Sequence, residues 1–504
     1  MLQLVGDDAY IVPECICNIG RMWTSAPTIN FSVCAGNPHH KSFSGKDFQM
    51  EIFDVLVLGG GPGGYLCAER AAQNGLKAAV FEKKALGGTC LNEGCIPTKT
   101  LLNSSKMYRH AKESEAFGVT AEGVKYDHAK VIDRKDKVVK TLVAGVGATM
   151  KANKVTVVSA NAVIKGKSAN GFAIEADGVT YEGKRLVIAS GSETVVPPVP
   201  GLKEGIESGF VVTNREVLDE KTLPKDLVVI GGGVIGLEMA YYFASVGTNV
   251  TVIEMMPKIA GATDPEICKV IQDGFEKKGM IFKLSCKVME VKKDSVIYEE
   301  NGEKKEIKCD KVLLSAGRKP ATANIGIETL GVEMDRAAVK TDRHLCTNVS
   351  GVYAIGDCNG KLMLAHTAYR EAEVAVNHMI GKQDEMRYDV IPSVIYTDPE
   401  VASVGLSKED AEKKGMTVKE VKLPMSYAGR YLAETEGGKG FIKLVVDTDK
   451  KRLVGCHMVG SYASEIIMTA TMMVDTELTP SRLQKLVFPH PTVVEIIREA
   501  IFHI

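Results

Sequence analysis

The fold of this chain is decided by Phe53-Asp54-Val55-Leu56-Val57-Leu58-Gly59-Gly60-Gly61-Pro62-Gly63-Gly64. The apolar half predicts a buried β-strand, and Gly59, Gly61 and Gly64 match the pattern G-x-G-x-x-G at a strand-to-helix turn. Because side chains are missing there, a pyrophosphate can approach the backbone N–H groups at the helix N-terminus. A second apolar run, residues 78–81, ends in Glu82, where an acid can bind a ribose hydroxyl. The stretch therefore predicts a dinucleotide-binding βαβ unit.

The same pattern occurs a second time in the chain. The apolar run 227–230 leads into Gly231, Gly233 and Gly236, and the apolar run after the next predicted helix ends in Glu254. The offset from the first glycine to the acid is the same in both copies. We therefore expect two dinucleotide-binding units in one chain.

Two cysteines follow the first unit closely. Cys90 and Cys95 can close a disulfide, but so short a loop would stabilise the fold by only about 2 kcal/mol. We interpret the pair as a redox switch, and the dipole of the helix predicted to run to about His110 favours a thiolate there. Two buried structural cysteines are the alternative interpretation. Two nucleotide units beside one dithiol indicate an electron relay.

Together these residues resemble the pyridine nucleotide-disulfide oxidoreductases, and within that family the dihydrolipoamide dehydrogenases. The resemblance runs from Met50 to the C-terminus, and its further landmarks are residues 313–320, 352–357, 363–366 and 490–495. It implies an α/β fold with two Rossmann-like dinucleotide-binding domains and an α+β C-terminal dimerisation domain.

The resemblance also implies boundaries. We expect an FAD domain over 50–190, an NAD domain over 191–317, a central part over 318–387 that completes the FAD site, and a dimerisation domain over 388–504. Residues 1–49 are expected to be a disordered extension or the product of a misassigned start codon.

The site residues are carried over from the family by position. The resemblance gives Cys90 the attack of the incoming thiolate, Cys95 the electron transfer to FAD, His490 the role of base and Glu495 that of its partner. The expected FAD-binding residues are Gly59, Gly61, Gly64, Glu82, Lys99, Gly191, Asp357, Leu364, Ala365 and His366. The expected NAD-binding residues are Gly231, Gly233, Gly236, Glu238, Glu254 and Gly317. Lys99 and Glu238 match an ion pair beside the flavin, and no metal ligands are expected.

Three positions depart from the family pattern. Ser190 replaces a threonine, Val494 replaces a common serine, and Glu93 replaces a residue that is often hydrophobic. None of them removes a reacting atom. Glu93 could shift the redox poise of the dithiol, but we interpret it as a solvated loop charge.

The implied reaction oxidises protein-bound dihydrolipoyl groups and reduces NAD⁺ by way of FAD. The implied partner is a lipoyl-bearing protein of a 2-oxoacid dehydrogenase complex or of the glycine cleavage system, and the implied assembly is a homodimer in which His490 serves the partner's dithiol. The alternatives are a glutathione-reductase-like NADPH enzyme and a non-catalytic flavoprotein scaffold. A 2′-phosphate at about 4 Å from Glu254 would cost on the order of 4 kcal/mol, which favours NAD over NADP.

Composition limits the remaining function classes. The 504 residues carry a formal net charge of −1, which offers no electrostatic footprint for nucleic acid or a membrane surface. No apolar run approaches the roughly 20 residues of a membrane helix. The cysteines lack disulfide-scaffold spacing, which indicates a reducing cytoplasm. Those after residue 50, apart from the redox pair, are expected to be small buried hydrophobic residues: Cys67, Cys268, Cys286, Cys309, Cys346, Cys358 and Cys456.

Overall fold

The structure is a computed structural model that describes residues 51–504, so the extension predicted over 1–49 lies outside the described residues. The chain first forms six strands and four helices. In chain order they are β1 Ile52–Leu58, α1 Pro62–Gln73, β2 Ala78–Phe81, α2 Gly88–Glu93, α3 Cys95–Lys112, α4 His128–Ala152, β3 Thr156–Val158, β4 Ala162–Ser168, β5 Gly171–Ala176 and β6 Val179–Ile188.

These strands form the first sheet, in the order β3-β2-β1-β6-β5-β4. β1 is parallel to both β2 and β6, whereas β4, β5 and β6 pair antiparallel. β1 is central, so Val55, Leu56 and Val57 are fully buried, as the continuous apolar run predicts. Pro62 starts α1, where a missing N–H costs nothing.

The chain then builds a second sheet. In chain order, the elements of this part of the chain are β7 Ser192–Thr194, α5 Leu202–Glu207, β8 Val211–Val212, α6 Asn214–Val217, β9 Asp226–Ile230, α7 Val234–Ser245, β10 Asn249–Ile253, α8 Pro265–Lys277, β11 Ile281–Lys283, β12 Lys287–Val291, β13 Ser295–Glu300, β14 Glu303–Lys308, β15 Lys311–Leu314 and β16 Arg318–Pro320. The second sheet is parallel in the order β11-β10-β9-β15-β8, beside an antiparallel sheet β12-β13-β14 and the pair β16-β7. The two dinucleotide units thus share the arrangement of a central strand, a glycine turn and a helix.

The next segment returns the chain to the first sheet. It contains β17 Met334–Asp335, β18 Ala338–Val339, β19 Val352–Ala354 and α9 Ala365–Met379. β19 pairs parallel with β6, and α9 packs against α1. The second nucleotide unit is therefore inserted between strands of the first sheet.

The last segment forms an antiparallel sheet covered by helices. It contains β20 Ser393–Ile395, β21 Val401–Gly405, α10 Lys408–Lys413, β22 Val418–Pro424, α11 Gly429–Glu434, β23 Phe441–Asp447, β24 Arg452–Val459, α12 Ala463–Asp475, α13 Pro480–Leu483 and α14 Glu495–Phe502. The strand order is β20-β21-β24-β23-β22. α12 packs on β21 and β24, and α14 packs on β22 and β23. This segment is the α+β unit that the resemblance implied.

The predicted fold class is confirmed: an α/β protein with two dinucleotide-binding sheets and a third, α+β unit. One detail of the cysteine interpretation is wrong. Cys346 is only partly buried, whereas the other cysteines outside the redox pair are buried, and its Sγ lies 3.5 Å from His378 Nδ1.

Candidate active site

The two acids at the strand ends are held in the same way. Glu82 accepts hydrogen bonds from the backbone N–H of Gly60 at 2.8 Å and from that of Lys84 at 2.7 Å. Glu254 accepts them from Gly232 at 2.6 Å and from Met256 at 2.8 Å. Each acid is thus tied to the second residue of its glycine turn, which fixes it at the mouth of the turn where a ribose would lie.

The glycines of each turn divide into two kinds. A Cβ at Gly64 would collide with the carbonyl oxygen of Gly59, and one at Gly236 with that of Gly231, so these glycines let helix and strand approach. A Cβ at Gly233, by contrast, would meet nothing within 4 Å. That open space faces the candidate pyrophosphate position.

One cavity of about 1410 Å³ joins both glycine turns and the dithiol. Most of the predicted site residues line it. They are Gly59, Gly61, Glu82, Cys90, Cys95, Lys99, Gly191, Gly233, Glu238, Gly317, Asp357, Leu364, Ala365 and His366. Predicted residues outside its lining are Gly64, Gly231, Gly236, Glu254, His490 and Glu495. The three glycines of that second group have packing roles, and Glu254 is bound to the backbone of the second turn.

The dithiol lies at the start of a helix. Cys90 is in the short helix α2, and Cys95 is the first residue of α3, after the turn at Gly94. Both are free thiols. The hydrogen bond from the Cys90 thiol and the charge of Lys99 lower the pKa of Cys95 from 9.0 to about 7, against the effect of burial. The hydrogen bond and burial raise the pKa of Cys90. Cys95 is therefore the more acidic thiol of the pair.

A buried ion pair lies beside the dithiol. Lys99 Nζ is 2.7 Å from Glu238 Oε2, and the Glu238 side chain is only 4% exposed. The other carboxylate oxygen of Glu238 accepts a hydrogen bond from the backbone N–H of Tyr396 at 2.9 Å, and Lys99 lies 4.5 Å from the centre of the Tyr396 ring. Glu238 thus connects the helix of the dithiol, the second nucleotide unit and the last segment.

A second polar chain ends at Asp357. Ser192 Oγ donates to Asp357 Oδ2 at 2.5 Å, and Arg318 donates to both Oγ and the carbonyl oxygen of Ser192 at 2.7 Å. Arg318 also donates to Asn214 Oδ1 at 3.4 Å. Burial lowers the pKa of the Arg318 guanidinium, while Asp357 counters that effect. Asp357 is therefore positioned by a network of hydrogen bonds on the cavity wall.

The interpretation of Glu93 as a solvated loop charge is wrong. Its side chain is 19% exposed and pairs with two cations, Arg215 at 2.7 Å and Lys84 at 3.1 Å. The partner Arg215 comes from the second nucleotide unit, more than a hundred positions later in the chain, so no local pattern could indicate the pairing.

His490 and Glu495 form the predicted pair away from this cavity. His490 Nδ1 is 3.0 Å from Glu495 Oε1 and 3.1 Å from Oε2. The backbone N–H of Thr492 donates to Glu495 Oε2 at 2.9 Å, and this bond leads in lowering the pKa of Glu495. The His490 side chain is 77% exposed, so its imidazole is accessible to a molecule that binds at this surface.

The cavity fits FAD and NAD in size and in chemistry. Two glycine turns with acids, open space at Gly191, Gly233 and Gly317, and a polar chain at Asp357 match two dinucleotides. Ser190 Oγ is buried on the wall and has no hydrogen-bond partner among the described residues, which leaves it free for a ligand. Over residues 51–504, no three His, Cys, Asp or Glu side chains cluster closely enough to hold a metal ion. Within the same range, no helix combines the length and the apolar character needed to cross a bilayer.

Sequence reasoning missed several residues of the site. They are Ser192, Asn214, Arg215, Tyr369 and Tyr396. None belongs to a glycine or cysteine motif, and each reaches the cavity only through long-range folding. The one available signal was the position of Ser192 directly after Gly191, at the segment joining the two units.

Comparison with known proteins defines the class. The family model "Pyridine nucleotide-disulphide oxidoreductase" matches residues 53–372, and the model of that family's dimerisation domain matches residues 391–501. The chain belongs to the pyridine nucleotide-disulphide oxidoreductases and carries their dimerisation domain.

Within that family, similar curated proteins share one activity in their names. A mitochondrial dihydrolipoyl dehydrogenase of Pisum sativum is 38% identical over 89% of this chain and 90% of the relative. A dihydrolipoyl dehydrogenase of Thermus scotoductus is 39% identical over 90% of this chain and 97% of the relative.

Solved structures support the same fold. LpdA from Mycobacterium tuberculosis superimposes with a TM-score of 0.82 at 23% identity, over 90% of this chain and 99% of that chain. A HOCl-induced flavoprotein disulfide reductase from Escherichia coli gives a TM-score of 0.77 at 26% identity, over 89% of this chain and 99% of that chain.

Proposed function

We propose that this protein is a dihydrolipoyl dehydrogenase: it oxidises dihydrolipoyl groups to the disulfide and reduces NAD⁺ to NADH. The single observation that carries the proposal is the cavity itself, which is lined by the Cys90–Cys95 pair and by both dinucleotide turns. A dithiol that shares one cavity with two dinucleotide sites can pass an electron pair to a flavin in one site, and the flavin can pass it to a nicotinamide in the other. The cofactors are FAD and NAD, and FAD supplies the two-electron redox chemistry that joins dithiol and nicotinamide.

The chain's own residues divide the thiol chemistry between them. His490 accepts the proton of the incoming thiol, because only a thiolate attacks a disulfide, and Glu495 holds the other ring nitrogen. Cys90 takes the thiolate in a mixed disulfide. Cys95 leaves as a thiolate, which its lowered pKa of about 7 favours. Lys99 and Glu238 hold a fixed pair of charges beside that sulfur.

The active site is proposed to be shared in a homodimer. The dithiol belongs to the first segment and His490 to the last, and His490 does not line the cavity of its own chain. A two-fold dimer exchanges the same surface in both directions, so each His490 can reach the other subunit's Cys90. The dimerisation domain matched over 391–501 supports this arrangement.

The division of the chain is also a proposal. The first sheet with β19 and α9 corresponds to an FAD domain over 50–190 completed by 318–387, the parallel second sheet to an NAD domain over 191–317, and the antiparallel sheet to an interface domain over 388–504.

The proposed partner is a lipoyl-bearing protein of a 2-oxoacid dehydrogenase complex or the glycine cleavage system, and the proposed compartment is the cytoplasm. Free thiols at all the described cysteines fit a reducing compartment. Because the Pisum sativum relative is named mitochondrial, imaging of the full chain in its own cells is the measurement that decides between the two compartments.

A glutathione-reductase-like activity is the competing candidate. It would need basic groups around the 2′-phosphate of NADP, and Glu254 stands at that place with both carboxylate oxygens engaged by backbone N–H groups. A non-catalytic scaffold has no physical need for the thiolate at Cys95. Two assays run side by side separate all three candidates: NADH formation from NAD⁺ and dihydrolipoamide, and NADPH oxidation with glutathione disulfide. Activity only in the second assay, or in neither, contradicts the proposal.

The dithiol can be tested with single substitutions. Cys90→Ala and Cys95→Ala should each retain FAD, because the cofactor is held by the glycine turn, Glu82 and Asp357. Each should lose dihydrolipoamide oxidation by at least about a thousandfold, since no disulfide can form. Near-normal turnover in either variant would exclude the relay.

The shared site can be tested by complementation. Inactive Cys90→Ala and His490→Ala parents are mixed under conditions that exchange subunits, and one site of each heterodimer is then complete. Activity should return to about a quarter of wild type, because half of the dimers are mixed and each has one good site. Unrestored activity after exchange is verified by mass would refute the shared site.

A further inference from the structure

The turn between the two redox cysteines carries a cluster of charges with no part in the proposed thiol chemistry. Glu93 is the last residue of α2 and directly precedes Gly94, so it lies between Cys90 and Cys95 in the chain. Its two carboxylate oxygens are both engaged, Oε2 by Arg215 Nε at 2.7 Å and Oε1 by Lys84 Nζ at 3.1 Å. The Glu93 side chain is 19% exposed, whereas the Arg215 side chain is 52% exposed.

The backbone of the same turn is held by the neighbouring residue. Asn214 donates from Nδ2 to the carbonyl oxygen of Glu93 at 2.7 Å. Asn214 and Arg215 are the first two residues of α6. The start of that helix therefore contacts Glu93 twice, by a hydrogen bond to its main chain and by an ion pair with its side chain. The turn itself is tight, because a Cβ at Gly94 would lie 2.9 Å from the carbonyl oxygen of Thr89.

We propose that Glu93 is a positioning residue whose ion pair with Arg215 holds the turn so that the Cys90 and Cys95 sulfurs stay within bonding reach in the dithiol state. This inference rests on the proposed function, in which the pair cycles between dithiol and disulfide. When the reduced pair is already arranged for ring closure, less conformational freedom is lost as the S–S bond forms. We call the Glu93–Arg215 ion pair the latch. It favours the disulfide and therefore makes the dithiol pair a stronger reductant.

The equilibrium is measured against dithiothreitol. As the protein disulfide forms, the two thiols lose two electrons and two protons, and the S–S bond of oxidised dithiothreitol breaks as it takes both up. The ratio of protein dithiol to disulfide at each ratio of reduced to oxidised dithiothreitol gives the midpoint potential of the pair. Acid quenching, alkylation and peptide mass identify the state of Cys90 and Cys95 directly.

Two substitutions distinguish a latch from a simple charge effect. Glu93→Gln removes a negative charge, which by electrostatics alone would stabilise the Cys95 thiolate and raise the potential. Arg215→Gln removes a positive charge and by electrostatics alone would lower the potential. A latch predicts that both substitutions raise it, because each breaks the same ion pair. The sign obtained with Arg215→Gln therefore decides between the two.

The experiment uses the FAD-loaded full chain. Both variants should shift the dithiol–disulfide equilibrium toward the dithiol by up to about tenfold, which is about 30 mV for a two-electron couple. Glu175→Gln is the matched control: it removes the same charge from an exposed pair with Lys165, on the first sheet and outside the cavity, and should leave the potential unchanged. Thermal unfolding of each variant shows that the fold is retained.

A lower potential in Arg215→Gln, or an unchanged potential in both variants, overturns the inference. Dihydrolipoamide takes no part in this titration. If the protein fails to oxidise dihydrolipoamide, the proposed function fails while the latch can still be measured. If the redox titration contradicts the inference about Glu93, the result of the dihydrolipoamide assay still stands.

Discussion

The division of labour between the two cysteines predicts how each should react when the other is altered. The pKa of Cys95 falls from 9.0 to about 7, with the Cys90 thiol as the first cause and Lys99 as the next favourable one. At pH 7 a thiol of pKa about 7 is about half thiolate, whereas one of pKa about 9 is about 1% thiolate. The thiolate of Cys95 is present above its pKa and is lost as the pH falls through that value.

Cys90→Ala removes the hydrogen-bond donor and leaves Lys99 in place. We therefore expect the pKa of Cys95 to rise by at least about one unit, which lowers the thiolate fraction at pH 7 about fivefold. Cys90→Ser keeps a hydroxyl donor near the same place, so its Cys95 pKa should lie closer to that of the native protein. The serine variant is thus the matched control for loss of the sulfur itself.

The assay is the rate of alkylation of Cys95 by iodoacetamide in the reduced protein, followed by peptide mass between about pH 5 and pH 10. Cys346 is an internal reference, because burial raises its pKa to about 11 and its alkylation should increase only at the alkaline end. A Cys95 midpoint in Cys90→Ala that equals the native midpoint would refute the reasoning, since the largest cause of the shift would then be absent without effect.

Two further predictions concern specificity and stability. Glu254→Ala combined with Met255→Arg should shift the ratio of kcat/KM for NADP to kcat/KM for NAD in favour of NADP. A repulsion on the order of 4 kcal/mol is removed, and the exposed side chain at position 255 becomes a partner for the 2′-phosphate. An unchanged ratio would show that Glu254 does not face the ribose. Lys443→Met should destabilise the fold by about 3–5 kcal/mol, because it leaves the Asp264 carboxylate, 5% exposed, without its cation at 2.8 Å. Lys422→Met, on an exposed partner of the same cluster, should change the midpoint of thermal unfolding little, and equal losses in both would contradict the role of burial.

The glycine turns and the dithiol could be predicted because their geometry is local. A strand, a turn without side chains and a helix place Gly59, Gly61 and Glu82 within one βαβ unit, so spacing alone carries the information. The pairing of Lys99 with Glu238 was available only through the family resemblance. Its two residues are 139 positions apart, and no periodicity records such a contact.

The two wrong interpretations, of Glu93 and of Cys346, have the same physical origin. Glu93 was interpreted as a solvated loop charge, whereas its partner Arg215 comes from the other nucleotide unit, 122 positions later in the chain. Cys346 was expected to be buried from residue type alone, but it is only partly buried and lies beside His378 on α9. Long-range partners decide the exposure of such residues, and a single sequence does not contain them.

The insertion of the second sheet into the first has a consequence for biosynthesis. β19, the strand that joins β6, is made only after the whole second unit has been synthesised. The backbone N–H of Tyr396 that satisfies the buried Glu238 carboxylate comes later still. A nascent chain can fold the second unit early, since its strands are contiguous, but it carries an incomplete flavin pocket until β19 and α9 have left the ribosome. Cofactor loading is therefore a late event in the life of the chain, and a chain that ends before β19 lacks Asp357 and the residues after it that line the pocket.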